Sequence, residues 1–187
     1  LHAIYVNYQP EELEVKLLVI TGGRHPYEES TPILESFLKS AGHDVTVTED
    51  ASALADEAGM SAYDALVFNT RRENAADFAE MKLPVAAQNG IINYVKSGKG
   101  FVCLHISGCG SDYWSEFAEI SGGGWVTGTS FHPPYGTVSV KVTKSSHAGA
   151  AGSQTSIPKM SYIWASATKA EMTSSWKPRQ KKEPGLG

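Results

Sequence analysis

The chain has 187 residues, is 41% hydrophobic and 19% charged, and carries a formal net charge of −4. That length and balance describe one globular domain with a core of its own. They leave no apolar run of about 18 residues for a membrane span, and no basic face of the kind nucleic acid requires.

The opening segment, Leu1 to Leu13, contains acidic residues and lacks a secretory leader's layout, so a reducing, cytoplasmic setting is expected. Val15 to Thr21 is an apolar run closed by Gly22-Gly23, which predicts a buried strand. The loop from Gly22 to Ser30 holds Arg24, His25, Glu28 and Glu29. Ser30 or Thr31 then suits a helix cap with Pro32 in the first turn, and Ile33, Leu34, Phe37 and Leu38 form one helical face. Asp44 to Thr48 alternates as a second strand, Ala51 to Ala58 is weakly helical, and Tyr63 to Asn69 reads as a third strand. Arg71 to Lys82 is a charged stretch with partial helical character. Pro84 opens a stronger helix through Lys96, stopped by Gly98.

Phe101 to Leu104 is a continuous apolar run, predicting a central strand covered on both faces, and His105 follows just before the turn Ser107 to Gly110. Tyr113 to Ile120 predicts a short aromatic helix ended by Gly122, and Thr137 to Thr143 a strand exposed on one face. Strands alternating with helices predict an α/β fold: a doubly wound, mostly parallel sheet with helices on both faces. Residues 1–152 hold 10 Lys and Arg against 18 Asp and Glu, whereas 153–187 hold 6 against 2. The acidic body and the basic tail are therefore treated as separate units.

In such a sheet, ligands bind beyond the carboxyl ends of the central strands. His105 stands there, and a neutral imidazole is suited to acid or base work near pH 7. His25 and Glu28 are expected at the same edge, on the premise that the strands preceding His25 and His105 are sheet neighbours. The rigid turn Phe131-His132-Pro133-Pro134-Tyr135-Gly136 brings a third imidazole, while His147 sits in a polar loop. These histidines match no metal-ligand spacing, so neither a metal nor a cofactor is expected. Gly22-Gly23-Arg24-His25-Pro26 has no nucleotide-loop spacing. Cys103 lacks the flanking glycines of a nucleophile elbow, and Cys109 and Ser107 have no readable partner. Trp114 and Trp125 suit a core or a pocket wall.

Val19-Ile20-Thr21-Gly22-Gly23-Arg24-His25-Pro26-Tyr27-Glu28-Glu29-Ser30-Thr31-Pro32, Tyr63 to Asn69, Gly98 to His105 and the His132-Pro133 turn together resemble the ThuA-like, or trehalose-utilisation, family over about Val15 to Gly152. The resemblance implies a class I glutamine amidotransferase-like, flavodoxin-like fold without the amidotransferase nucleophile. It implies catabolism of trehalose-like disaccharides or their keto derivatives. His25, His105 and His132 match the family's histidines, and Ala148 replaces its usual Pro after His147. The resulting expectation assigns acid–base chemistry to His105, His25 and His132, and substrate contacts to Glu28, Arg24, Asn69 and Trp114. The ligand is a small sugar derivative; nucleic acid and membrane are not partners, and a homo-oligomer is compatible with the chain. The alternatives are a non-catalytic carbohydrate- or partner-binding domain and a cysteine hydrolase or amidotransferase using Cys103.

The resemblance breaks off after Gly152. Reading the codons for Lys159-Met160-Ser161-Tyr162-Ile163-Trp164-Ala165 one nucleotide early, with Ser161 as AGY, permits the family's Asp-Glu-Leu-Tyr-Met-Gly. A shifted frame over 153–187 would explain the basic tail. It implies a mobile or loosely docked segment, a truncated domain of low stability, and an activity in question.

Overall fold

The computed structural model describes residues 14–72, 82–105, 107, 114–123, 130–131, 134–137, 139, 141–142 and 159–160. Its centre is a four-stranded parallel sheet in the order β2-β1-β3-β4, formed by β1 (Lys16–Gly23), β2 (Asp44–Thr48), β3 (Ala65–Arg71) and β4 (Gly100–Cys103). Helix α1 (Tyr27–Ser40) joins β1 to β2. A 3-10 helix (Ala51–Ala55) and α2 (Glu57–Ser61) lead to β3, and α3 (Val85–Lys96) precedes β4. After β4 come α4 (Phe117–Ser121) and a two-residue antiparallel ladder of β5 (Gly136–Thr137) with β6 (Lys159–Met160).

Alternation along the strands divides the core into two layers. Leu17, Val19, Val45 and Val67 face Leu34 and Leu38, the inner side of α1. Leu18, Ile20, Leu66 and Phe68 face the other way, onto Leu54, Met60, Ala87, Ile91, Trp114 and Phe117. Helices thus cover both sides, as a doubly wound sheet requires. Gly90 allows α3 to sit close to the 3-10 helix, because a Cβ there would overlap the Leu54 carbonyl.

Three sequence expectations change. Helix α1 begins at Tyr27, with Pro26 as N-cap, so Pro32 lies inside it. The Ser30 and Thr31 hydroxyls do not cap the helix; each accepts a hydrogen bond from Asn69 Nδ2 at 3.1 Å. The run from Phe101 is not covered on both faces. Val102 is 45% exposed, and β4 pairs with β3 and with no second strand among the described residues. Of the strand expected over Thr137 to Thr143, only Thr137 is in a ladder; Ser139, Lys141 and Val142 are described and lie outside any strand. Of the basic tail, only Lys159 and Met160 are described, and both pair with β5; the expectation of a loosely docked segment otherwise lies outside the described residues.

Candidate functional site

The carboxyl edge of the sheet is built by the ends of β1, β3 and β4. β1 leaves the sheet through Gly22 and Gly23, with φ of 81° and 94°. A Cβ on Gly23 would overlap the Arg71 carbonyl oxygen, so only glycine lets the chain turn this close to β3. Backbone bonds then pin the loop. Arg24 N–H donates to Arg71 O at 3.3 Å, His25 N–H to Gly23 O at 3.0 Å, and Tyr27 N–H to His25 O at 2.7 Å. The loop leans over the end of β3 and carries the His25 imidazole toward β4.

β4 ends in the second turn. Ser107 N–H donates to Leu104 O at 2.9 Å, closing four residues with His105 in second place. His105 has φ of 50°, the one positive value at a non-glycine among the described residues. Primed turns require a positive φ at that place, and histidine adopts it more readily than most side chains. The Ser107 hydroxyl is buried and accepts from Thr70 N–H at 3.0 Å, capping the end of β3 where β4 no longer pairs.

The two exposed imidazoles meet: the His25 and His105 rings lie 5.4 Å apart, edge to face. The premise for this meeting needs correction. β3 separates β1 from β4, so the strands are not neighbours; the loop after β1 bridges the gap. Strained backbone falls on His105. Cys103, the last residue of β4, is in the strand, upstream of the turn.

The other candidates occupy different positions. Glu28 is exposed in the first turn of α1 and lines a cleft on the β2 side. Arg24 is exposed beside His25. Asn69 is buried, its amide holding the start of α1 to β3. Trp114 is 1% exposed and stacks at 5.0 Å from Phe117 inside the core. His132, Cys109, Trp125 and His147 lie outside the described residues. No group of three metal-binding side chains occurs among the described residues.

Sequence reasoning did not single out Arg72. Its guanidinium is buried at 9% exposure. Nε donates to Thr70 Oγ1 at 2.9 Å, and Nη2 donates to Thr21 O at 3.0 Å and to Glu49 O at 3.1 Å. Thr70 Oγ1 in turn donates to Gly22 O at 2.7 Å. One side chain therefore ties the ends of β1, β2 and β3 together beneath the histidine loop. An arginine directly after a buried strand was the available signal.

The family model for trehalose utilisation (ThuA) matches residues 16–182. The chain belongs to the ThuA family. That span includes every described element from β1 to β6. Among solved structures, a ThuA-like protein from Bacteroides uniformis superimposes with a TM-score of 0.57 at 17% identity, over 88% of this chain. This ThuA chain spans 63% of that protein's length, and the likeness shows the fold. Comparison with curated proteins gives no match. No described helix is long and apolar enough to cross a membrane.

Proposed function

We propose that this ThuA chain acts on a small sugar derivative, a trehalose-like disaccharide or its keto form, through acid–base chemistry at the sheet's carboxyl edge. The observation that carries the reading is the meeting of His25 and His105 at 5.4 Å, with His105 held at φ 50°. A non-glycine residue in that region costs about 1–3 kcal/mol and persists where the surroundings impose it, often at functional sites. Here the turn presents an imidazole just beyond the end of β4.

His105 is the residue placed to take or give a proton on a bound hydroxyl or carbonyl. His25, its ring against that of His105, is placed to hold a second polar group of the same ligand or to share the proton. Arg24 and Glu28 flank His25 in sequence and offer a cation and an acceptor around the site. The family description, trehalose utilisation, supports the choice of a sugar derivative as substrate. Two imidazoles side by side support the chemistry, because imidazole is the side chain most often used for proton transfer.

The test is turnover and binding of trehalose and its oxidised derivatives by the parent chain and by His105→Ala. Loss of turnover with binding retained supports the reading. Binding without turnover in the parent marks a carbohydrate-binding domain instead, and unchanged turnover in the variant removes His105 from the mechanism.

A further inference from the structure

Both histidine loops are fastened to one residue, Thr70, near the end of β3. Thr70 is 2% exposed and stands opposite Gly22 in the β1–β3 register. A parallel ladder sends N–H groups to carbonyls at even spacing. Between β3 and β4, Leu104 N–H donates to Phe68 O at 3.0 Å. The next bond of that series would join Thr70 N–H to Leu104 O. Instead, Leu104 O takes the Ser107 N–H at 2.9 Å, which closes the turn that carries His105. The Ser107 hydroxyl, on a residue 1% exposed, stands in for the lost carbonyl and accepts from Thr70 N–H at 3.0 Å. A buried amide needs an acceptor, so this bond holds the His105 turn against β3.

The Thr70 side chain holds the other loop. Arg72 Nε donates to Thr70 Oγ1 at 2.9 Å, and a guanidinium can only donate. The hydroxyl's own proton is thereby directed to its second partner, Gly22 O, at 2.7 Å. That carbonyl belongs to the peptide between Gly22 and Gly23, from which the chain turns toward His25. The peptide is planar, so fixing its oxygen fixes the direction in which the His25 loop departs.

Thr70 thus joins β4 through its backbone and β1 through its hydroxyl, at the roots of the two loops whose imidazoles meet at 5.4 Å. We infer that Thr70, acting through Ser107 and Gly22, is the positioning residue that sets the separation of His25 and His105. Its consequence for a reaction rests on the proposed function; its effect on the geometry does not. A displacement of about 1 Å at a reacting group can cost on the order of 100-fold in rate, so this joint acts on kcat more than on binding.

The experiment compares the isotope-labelled full chain with Thr70→Val, Thr70→Ser and Ser107→Ala. Valine keeps the branched shape and loses the hydroxyl, serine keeps the hydroxyl, and alanine at 107 removes the acceptor. The readouts are the nuclear Overhauser cross-peak between the His25 and His105 ring protons, urea unfolding, and kcat and KM on oxidised trehalose. The cross-peak is expected in the parent and in Thr70→Ser and is expected to vanish in Thr70→Val and Ser107→Ala. In those two variants kcat is expected to fall by about 10- to 100-fold with KM little changed. Variants that unfold earlier in urea yet keep the cross-peak overturn the inference, since Thr70 then only closes the strand ends. A cross-peak lost in Thr70→Ser as well also overturns it, because the hydroxyl is still present. A parent without the cross-peak overturns the imidazole pair and the inference with it. A cross-peak lost as expected with kcat unchanged overturns the proposed function and leaves the positioning role of Thr70 standing. Should Thr70→Val not fold, Ser107→Ala cuts the joint on its other side and decides the outcome.

Discussion

Replacing Arg72 with Met tests the structural basis of the site. The change keeps an unbranched stem and removes three donated bonds, to Thr70 Oγ1, Thr21 O and Glu49 O. Hydrogen bonds to charged groups contribute about 1.5–3 kcal/mol each, so the gross loss is roughly 4–9 kcal/mol. Relief from holding a guanidinium at 9% exposure offsets part of this, because burying an ion costs several kcal/mol. The expected net destabilisation is about 2–4 kcal/mol, a large share of a typical margin of roughly 5–15 kcal/mol. Urea unfolding of parent and variant measures it. Arg72→Lys should recover only part, since an ammonium cannot reproduce the planar fork that spans two carbonyls and a hydroxyl. Thr70 is shared by the network, so Arg72→Met and Thr70→Val should be non-additive by about 0.5–3 kcal/mol. A variant within about 0.5 kcal/mol of the parent, the range of ordinary surface changes, would refute the bridging role.

Three other substitutions probe separate parts of the argument. Gly23→Ala forces a Cβ onto the Arg71 carbonyl at φ 94° and should cost about 2 kcal/mol or more, measured by thermal or urea denaturation; a neutral result would mean that the loop need not hug β3. His105→Gly should be more stable than His105→Ala by about 1 kcal/mol, because only glycine is relaxed at φ 50°; the reverse order would show that the backbone there is unstrained. Tyr94 donates to the Tyr63 carbonyl at 2.9 Å, and burial, with the nearby Asp64 charge, pushes its phenol from an ordinary value of 10.0 up to about 12. Its folded pKa is raised, so its contribution is complete below pH 10 and is lost as pH rises through 12. Tyr94→Phe should flatten that alkaline decline and cost about 1 kcal/mol at neutral pH, read from denaturation across pH.

The two strands that the sequence made plainest, β1 and β3, are those whose side chains are buried. Leu17 to Ile20 and Leu66 to Phe68 are nearly sealed on both sides, and unbroken apolar runs signal that environment. Phe101 to Leu104 shows the limit of the same signal: composition reports apolarity but not position in the sheet, and β4 has one described neighbour. The start of α1 was obscured for a chemical reason. Ser30, Thr31 and Pro32 form the pattern of a capped helix start, yet the two hydroxyls are taken by Asn69, a residue 38 or 39 positions away. A local pattern cannot announce a partner that distant, and Tyr27, buried at 4% exposure, anchors the helix one turn earlier.

The site shows the same division between local and long-range causes. That each histidine follows a strand end could be read locally, and a parallel sheet places all such ends on one edge. Which ends come together depends on strand order, and adjacency of β1 and β4 was the wrong route to the right pair. The route taken depends on Gly22 and Gly23, whose positive φ values let the loop cross the end of β3, and on Arg72 beneath, which fixes the carbonyl of Thr21 from which that loop departs. The imidazole pair is thus a product of backbone geometry more than of sheet pairing. Loosening the loop at Gly23 or its anchor at Arg72 should separate His25 from His105 while β1 through β4 keep their register. That separation, seen as loss of the His25 response to His105→Ala in imidazole NMR spectra, would show the imidazole pair to be assembled by the loop.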